Sequence, residues 1–223
     1  MPKTVITESD LSFDFDQDWV VKKYDEHAYF KLLAGCGLKG VDFIGIYQHK
    51  WLYLIEVKNY KKRRYSPVDP DWADLVGDNP DLAKDFALKI SDTLRLVSVV
   101  MTYLQRQWWY KIVNRFRSFL GITKVSKDWH FWQAVANIEN DPSLVIPTLY
   151  IESSKVFLER YTQTENEFLI KMSNHINTIL SNPKMGTLVV ISSTSSNVKD
   201  LLPGVNVSPQ LTSKHKKTTF GNQ

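Results

Sequence analysis

Asp42, Glu56 and Lys58 are the residues of this chain whose types and spacing could do chemistry. Asp42 lies in the run GVDFIGIY over 40–47, and Glu56 and Lys58 close the run WLYLIEVK over 51–58, with Gln48, His49 and Lys50 between them. Two aromatic and β-branched runs with a short polar break predict a β-hairpin. Pairing Tyr47 with Trp51 sets Asp42 opposite Glu56 on one face, where opposed Cβ atoms lie about 5 Å apart. Lys58, two residues on, shares that face. Carboxylates this close repel unless a positive charge sits between them, and a hard divalent cation with oxygen ligands meets the need. The chemistry this predicts is metal-dependent phosphodiester cleavage. The competing reading is structural: Asp42 opens one strand, and Glu56 and Lys58 form the solvated end of the next. Context weighs against it, because Leu52, Leu54 and Ile55 lead into Glu56 and the chain holds no other acid-x-Lys triplet. The register is weakly pinned, since both faces are apolar and a one-residue slip would set Asp42 opposite Val57.

The surrounding elements must hold that hairpin. Val21, Tyr24, Ala28 and Leu32 keep helical spacing, which predicts a helix over 19–34, stopped by Gly35 and Gly37. The segment GCGLKG over 35–40 spells a dinucleotide fingerprint but follows a predicted helix instead of a strand, so it is discarded. Beyond the hairpin, Lys61, Lys62, Arg63 and Arg64 are either a solvated face or a phosphate-binding run within reach of the carboxylates. Residues 65–79 read as a loop broken by Pro67, Pro70 and Gly77, long enough to cover a cleft. Asn79, Pro80 and Asp81 start a helix that Phe86, Ile90, Leu94, Val97 and Met101 carry to about Gln105. A second helical piece to Leu120 mixes Trp108 and Trp109 with Lys111, Arg115 and Arg117, a pattern fit for a core, a dimer interface or stacked bases. Strands follow over 129–138 and 146–151, then a helix over 165–180 and a strand over 187–192. Serine, threonine and asparagine dominate from Ser193 onward, and residues 206–223 are expected to form a polar, basic, mobile tail.

Composition bounds the function. The chain has 223 residues with 43% hydrophobic content, enough for one domain with a substantial core. Its one cysteine, Cys36, excludes an internal disulfide framework and suits a reducing cytosol, so a cytoplasmic location is expected. No apolar run is long enough to span a membrane, and the polar start lacks a signal peptide's apolar centre. Neither zinc-type His/Cys spacing nor a glycine-rich phosphate loop is present. The net charge of +4 and a pI near 9.0 favour a polyanionic partner.

An acid on an early helix, an Asp on a strand, a strand ending Glu-x-Lys and a following helix together resemble the PD-(D/E)xK nuclease superfamily, nearest its Holliday-junction-resolvase-like branch. The likeness covers mainly residues 25–58. Glu26, Leu33 and Gly37 reproduce the branch's spacing, while Asp25 competes with Glu26 because it lies nearer the predicted apolar stripe. The proline of the family name is absent, Val41 preceding Asp42. The resemblance implies an α/β, restriction-endonuclease-like fold: a mixed central sheet flanked by helices, with a long helical insertion at about 80–121 inside a single nuclease domain over 1–205. It also implies that Asp42, Glu56 and the backbone carbonyl of Val57 ligate Mg2+, for which Mn2+ substitutes. Lys58 would position or deprotonate the attacking water, and Glu26 would complete the outer shell or hold a second metal. An auxiliary polar residue is expected from the following helix, with Lys89 and Asp92 as candidates. The implied activity is an endonuclease acting on DNA in defence, repair or mobile-element biology, with the long helices as a candidate homodimer interface. The alternative is a nuclease-fold module that has lost catalysis and binds nucleic acid or a protein partner.

Overall fold

The computed structural model describes residues 3–27, 30–31, 35, 37–59, 81–106, 115, 127–152, 165–180, 188–192 and 198–210. The chain is mixed α/β. Strands β1 (Thr4–Glu8), β2 (Leu11–Phe15) and β8 (Val205–Pro209) form an antiparallel sheet in the order β1-β2-β8. Strands β3 (Trp19–Lys23), β4 (Phe43–Tyr47), β5 (Trp51–Asn59), β6 (Val145–Glu152) and β7 (Val189–Ser192) form a five-stranded sheet in that order. The first three of these are an antiparallel meander, and β6 and β7 add in parallel. Four α-helices, α1 (Asp81–Arg106), α2 (Lys127–Glu139), α3 (Glu165–Leu180) and α4 (Val198–Leu201), and a 3-10 turn at Pro142–Leu144 complete the described elements.

The five-stranded sheet is buried on both faces, as expected where crossovers place helices on it. Ile44, Ile46, Leu52 and Leu54 pack against Phe86, Ile90, Val97, Trp132 and Ile176 of α1, α2 and α3. Phe43, Tyr53, Ile55 and Val57 pack against Phe13 and Phe15 of the small sheet. This two-sided burial explains why the hairpin's apolar pattern left the register open. The register is the expected one: Tyr47 faces Trp51 and Phe43 faces Ile55. Gln48 and His49 both have positive φ (51° and 55°), and the Lys50 N–H donates to the Tyr47 carbonyl, so the connection turns in the left-handed sense that suits twisted strands.

Helix α1 starts at Asp81 and strand β6 covers 146–151 as the sequence indicates, and α3 matches its expected span. Two elements differ. Residues 19–23 are strand β3, not the start of a helix over 19–34. The indole of Trp19 fills the space above Gly45, where an added Cβ would stand 2.8 Å from the ring, and its Nε1 donates to the Pro203 carbonyl at 2.7 Å. These partners are distant in sequence, and they override a local helical spacing. Residues 129–138, expected as a strand, lie in α2, whose buried positions Phe131, Trp132, Val135 and Ile138 follow helical spacing. Strand β8 carries residues 206–209, placed in the tail by composition, into the small sheet; residues 211–223 lie outside the described residues. Among the described residues, no helix is long and apolar enough to cross a membrane.

Gly45→Ala is expected to lower the unfolding free energy by about 1–3 kcal/mol, because the methyl must displace the Trp19 ring. Urea denaturation measures this, and a variant as stable as the parent would show that the indole can slide aside.

Candidate functional site

The polar centre of the molecule lies where β5 leaves the core. Strand alternation points Glu56 and Lys58 toward α1, on the face of Leu52 and Leu54. Glu56 is 1% exposed, and its Oε1 accepts from two ammonium groups, Lys58 Nζ at 2.8 Å and Lys89 Nζ of α1 at 2.7 Å. Its Oε2 is enclosed with no hydrogen-bond partner. Lys89 thus serves Glu56, while Asp92 accepts from the Lys39 backbone N–H at 3.0 Å.

Asp42 is held by two backbone N–H groups, and the residues before it are tied to α1. The Val41 N–H donates to Thr93 Oγ1 at 3.1 Å, and Lys39 Nζ pairs with Asp85 at 2.6 Å, so the chain entering β4 is lashed to α1. The Tyr24 N–H donates to the Asp42 carbonyl at 2.7 Å, continuing the β3–β4 ladder. The Val57 N–H donates to Asp42 Oδ2 at 2.7 Å. Burial and then the charge of Glu56 push the Asp42 carboxyl up to about 7, against the weaker pull of that N–H and of Lys89. Burial lowers the affinity of Lys58 for its proton, but Glu56 more than compensates and holds the ammonium above its ordinary value.

Asp25, not Glu26, joins Asp42. One carboxylate oxygen from each of Glu8, Asp25 and Asp42 lies within 4.8 Å of the others, whereas the Glu26 side chain is 62% exposed and paired with Lys23 at 2.7 Å. β3 replaces only the first part of the expected helix, since Phe30 and Lys31 are helical and the Lys31 N–H donates to the His27 carbonyl at 3.0 Å; Asp25 follows directly on the β3–β4 ladder. Burial raises the Asp25 carboxyl, and its Oδ1 is enclosed without a partner. Glu8 had no sequence signal. It ends β1 before the turn residues Ser9 and Asp10, both at positive φ, and Lys23 Nζ reaches it at 2.9 Å. Asn59 Nδ2 donates to the Ser9 carbonyl at 2.6 Å and fixes the hairpin tip to the end of β5.

These residues enclose a cavity of about 540 Å³ lined by Glu8, Asp42, Glu56, Lys58 and Lys89, with Asp81 and Asp85 of α1 at its side. Five carboxylates face two lysines, so the cavity attracts cations and repels a bare phosphate. The run Lys61, Lys62, Arg63 and Arg64 and the loop over 65–79 lie outside the described residues, as do Lys111 and Arg117; Arg115 is helical and exposed.

Comparison with known proteins returns nothing: no family model, no curated protein and no solved structure matches the chain.

Proposed function

We propose that the chain is a divalent-cation-dependent nuclease of the PD-(D/E)xK kind that hydrolyses phosphodiester bonds of DNA. The observation that carries this reading is Glu56: a carboxylate withdrawn from water, neighboured by Asp42, clamped by two lysines and open to a large acidic cavity. The order of elements supports it as well. An antiparallel meander carries Asp42 just before β4 and Glu-x-Lys at the end of β5, and α1 and α2 come between β5 and its parallel neighbour β6.

The residues fit a hard cation, because Glu56 Oε2 is enclosed without a donor and the cavity holds more carboxylates than ammonium groups. Asp42, Glu56 and the Val57 carbonyl would hold Mg2+ or Mn2+, which supplies charge neutralisation at the phosphoryl group and a more acidic bound water. Lys89 keeps Glu56 compensated from the helix side. Lys58, held protonated beside Glu56, acts as a donor that orients water or phosphate; its raised proton affinity argues against the role of base. Asp25 takes the place the resemblance gives to Glu26.

Supercoiled plasmid incubated with Mg2+ or Mn2+ tests the reading, with EDTA and Glu56→Ala as controls. Lys58→Ala is expected to keep its melting temperature within a few degrees, since Lys89 still pairs with Glu56 and Lys58 is 29% exposed, while losing nicking activity. Comparable nicking by variant and parent would overturn the assigned role, and binding of DNA without cleavage under every metal would favour the module that has lost catalysis.

A further inference from the structure

We propose that Asn59 is a positioning residue of the cleavage site: its side chain seats the tip of the β1–β2 hairpin against the end of β5 and so sets one wall of the cavity. The proposal rests on the nuclease reading of that cavity. Strand alternation divides the end of β5 between two layers. Glu56 and Lys58 turn toward α1, whereas Val57 and Asn59 turn toward the small sheet, where Val57 shares a buried cluster with Phe13 and Phe15. Asn59 therefore follows Lys58 directly but reaches the other way, and its Nδ2 donates to the Ser9 carbonyl at 2.6 Å.

The cavity draws its lining from both layers. Helix α1, packed on one face of the five-stranded sheet, supplies Asp85 and Lys89; the hairpin of the small sheet, packed on the other face, supplies Glu8 and Ser9. Its shape therefore depends on where the hairpin tip is seated. Two further bonds hold the tip to other strands. Lys23 Nζ of β3 donates to the Thr7 carbonyl at 3.2 Å, and the N–H of Gln210, just past β8, donates to the Asp10 carbonyl at 2.8 Å. The Asn59 bond carries that placement across to the strand that bears Glu56 and Lys58.

The tip carries a charge with it. Ser9 Oγ donates to Glu8 Oε1 at 3.0 Å, so a shift of Ser9 moves the Glu8 carboxylate along the cavity wall. Ser9 and Asp10 both hold positive φ (51° and 60°), a conformation unfavourable for residues other than glycine that persists where neighbouring groups enforce it. Loss of the Asn59 donor removes one of those restraints and lets Ser9 and Glu8 drift from the reacting phosphate, where a displacement of about 1 Å lowers a rate about a hundredfold. Asn59 and Ser9 are half-buried, so water replaces the lost donor and the folded state is little weakened.

The test compares the full chain with Asn59→Leu, which removes the donor at similar size, and Asn59→Gln, which keeps an amide. Amide hydrogen exchange over residues 8–11 is expected to quicken in Asn59→Leu and to return toward the parental rate in Asn59→Gln. In plasmid nicking with Mg2+, Asn59→Leu is expected to lose about ten- to a hundredfold in kcat and in kcat/KM alike, the mark of an interaction used in the transition state. Asn59→Gln should recover part of that loss, and both variants should melt close to the parent. A bond of structural value alone would lower the melting temperature and leave the folded chain's kcat parental, and that result overturns the proposal. So does a fall in kcat without faster exchange at the tip, because Asn59 would then act other than through the hairpin. A parent that nicks no plasmid with Mg2+ or Mn2+ overturns the nuclease reading and this role with it, whereas a nicking parent matched by Asn59→Leu overturns the role alone.

Discussion

Glu56→Gln is expected to reduce plasmid nicking at least about a thousandfold and to cost about 2–4 kcal/mol of stability, and adding Lys89→Met is expected to restore most of the stability and none of the activity. The substitution keeps the shape of the side chain but removes its charge. Lys58 and Lys89, now 2.8 and 2.7 Å from the same oxygen, would then face each other around a neutral amide at a site 1% exposed. Breaking a buried ion pair from one side costs about 3–5 kcal/mol, because the remaining charge stays desolvated. Lys58 softens that cost because it is 29% exposed and can turn outward; Lys89, at 18%, has less freedom. Removing the Lys89 charge therefore relieves the variant, whereas in the parent it strips Glu56 of one partner and destabilises. Urea denaturation of the four proteins of this cycle measures the coupling directly. Additive losses would show that the two residues do not act as a pair, and full nicking by Glu56→Gln would remove the carboxylate from the chemistry.

How much of this site could be read from the chain depends on how local its determinants are. The β4–β5 pairing is local: two apolar runs and a tight turn fix it, and with it the relation of Asp42 to Glu56 and Lys58. Helix α1 carries its own start at Asp81 and its own stripe, which is why Lys89 could be marked. Strand β3 is different. Val21 fits a helix equally well, and what makes its segment strand is the match of Trp19 to Gly45 and Pro203, one of them about 180 residues away. The acid is a separate matter: the spacing to Leu33 and Gly37 names Glu26, whereas in the fold, with the Tyr24 N–H on the Asp42 carbonyl, Asp25 lies beside Asp42 and Glu26 pairs with Lys23. The small sheet was illegible for the same reason: β2 finds its second partner in β8, beyond the whole domain. Glu8 owes its place to the left-handed turn at Ser9 and Asp10 and to Lys23, neither of which leaves a pattern along the chain.

Asp42→Asn is expected to leave stability unchanged below about pH 4, to stabilise the metal-free protein increasingly between pH 4 and 7, and to gain about 2–4 kcal/mol above that. The sign follows from linkage. Unfolded, the carboxyl titrates near its ordinary 3.8; folded, burial and the Glu56 charge push it up to about 7. Between these values the folded parent binds a proton that the unfolded chain does not, so its stability falls as pH rises through the window and levels off above it. Each unit of separation is worth about 1.4 kcal/mol, and the expected gain is set below the full product because Asp42 keeps some contact with solvent. The asparagine oxygen can still accept the Val57 N–H, now 2.7 Å from Oδ2, so the backbone anchor survives and the difference isolates the charge. Melting curves of both proteins from pH 3 to 9 in EDTA give the comparison, and repeating them with Mn2+ should reverse its sign at pH 8, because only the parent gains a ligand's worth of binding energy. A difference that does not vary with pH, or an asparagine variant less stable than the parent at pH 8 in EDTA, would mean that Asp42 is comfortably ionised without a cation, and the electrostatic case for a metal at this residue would fall with it.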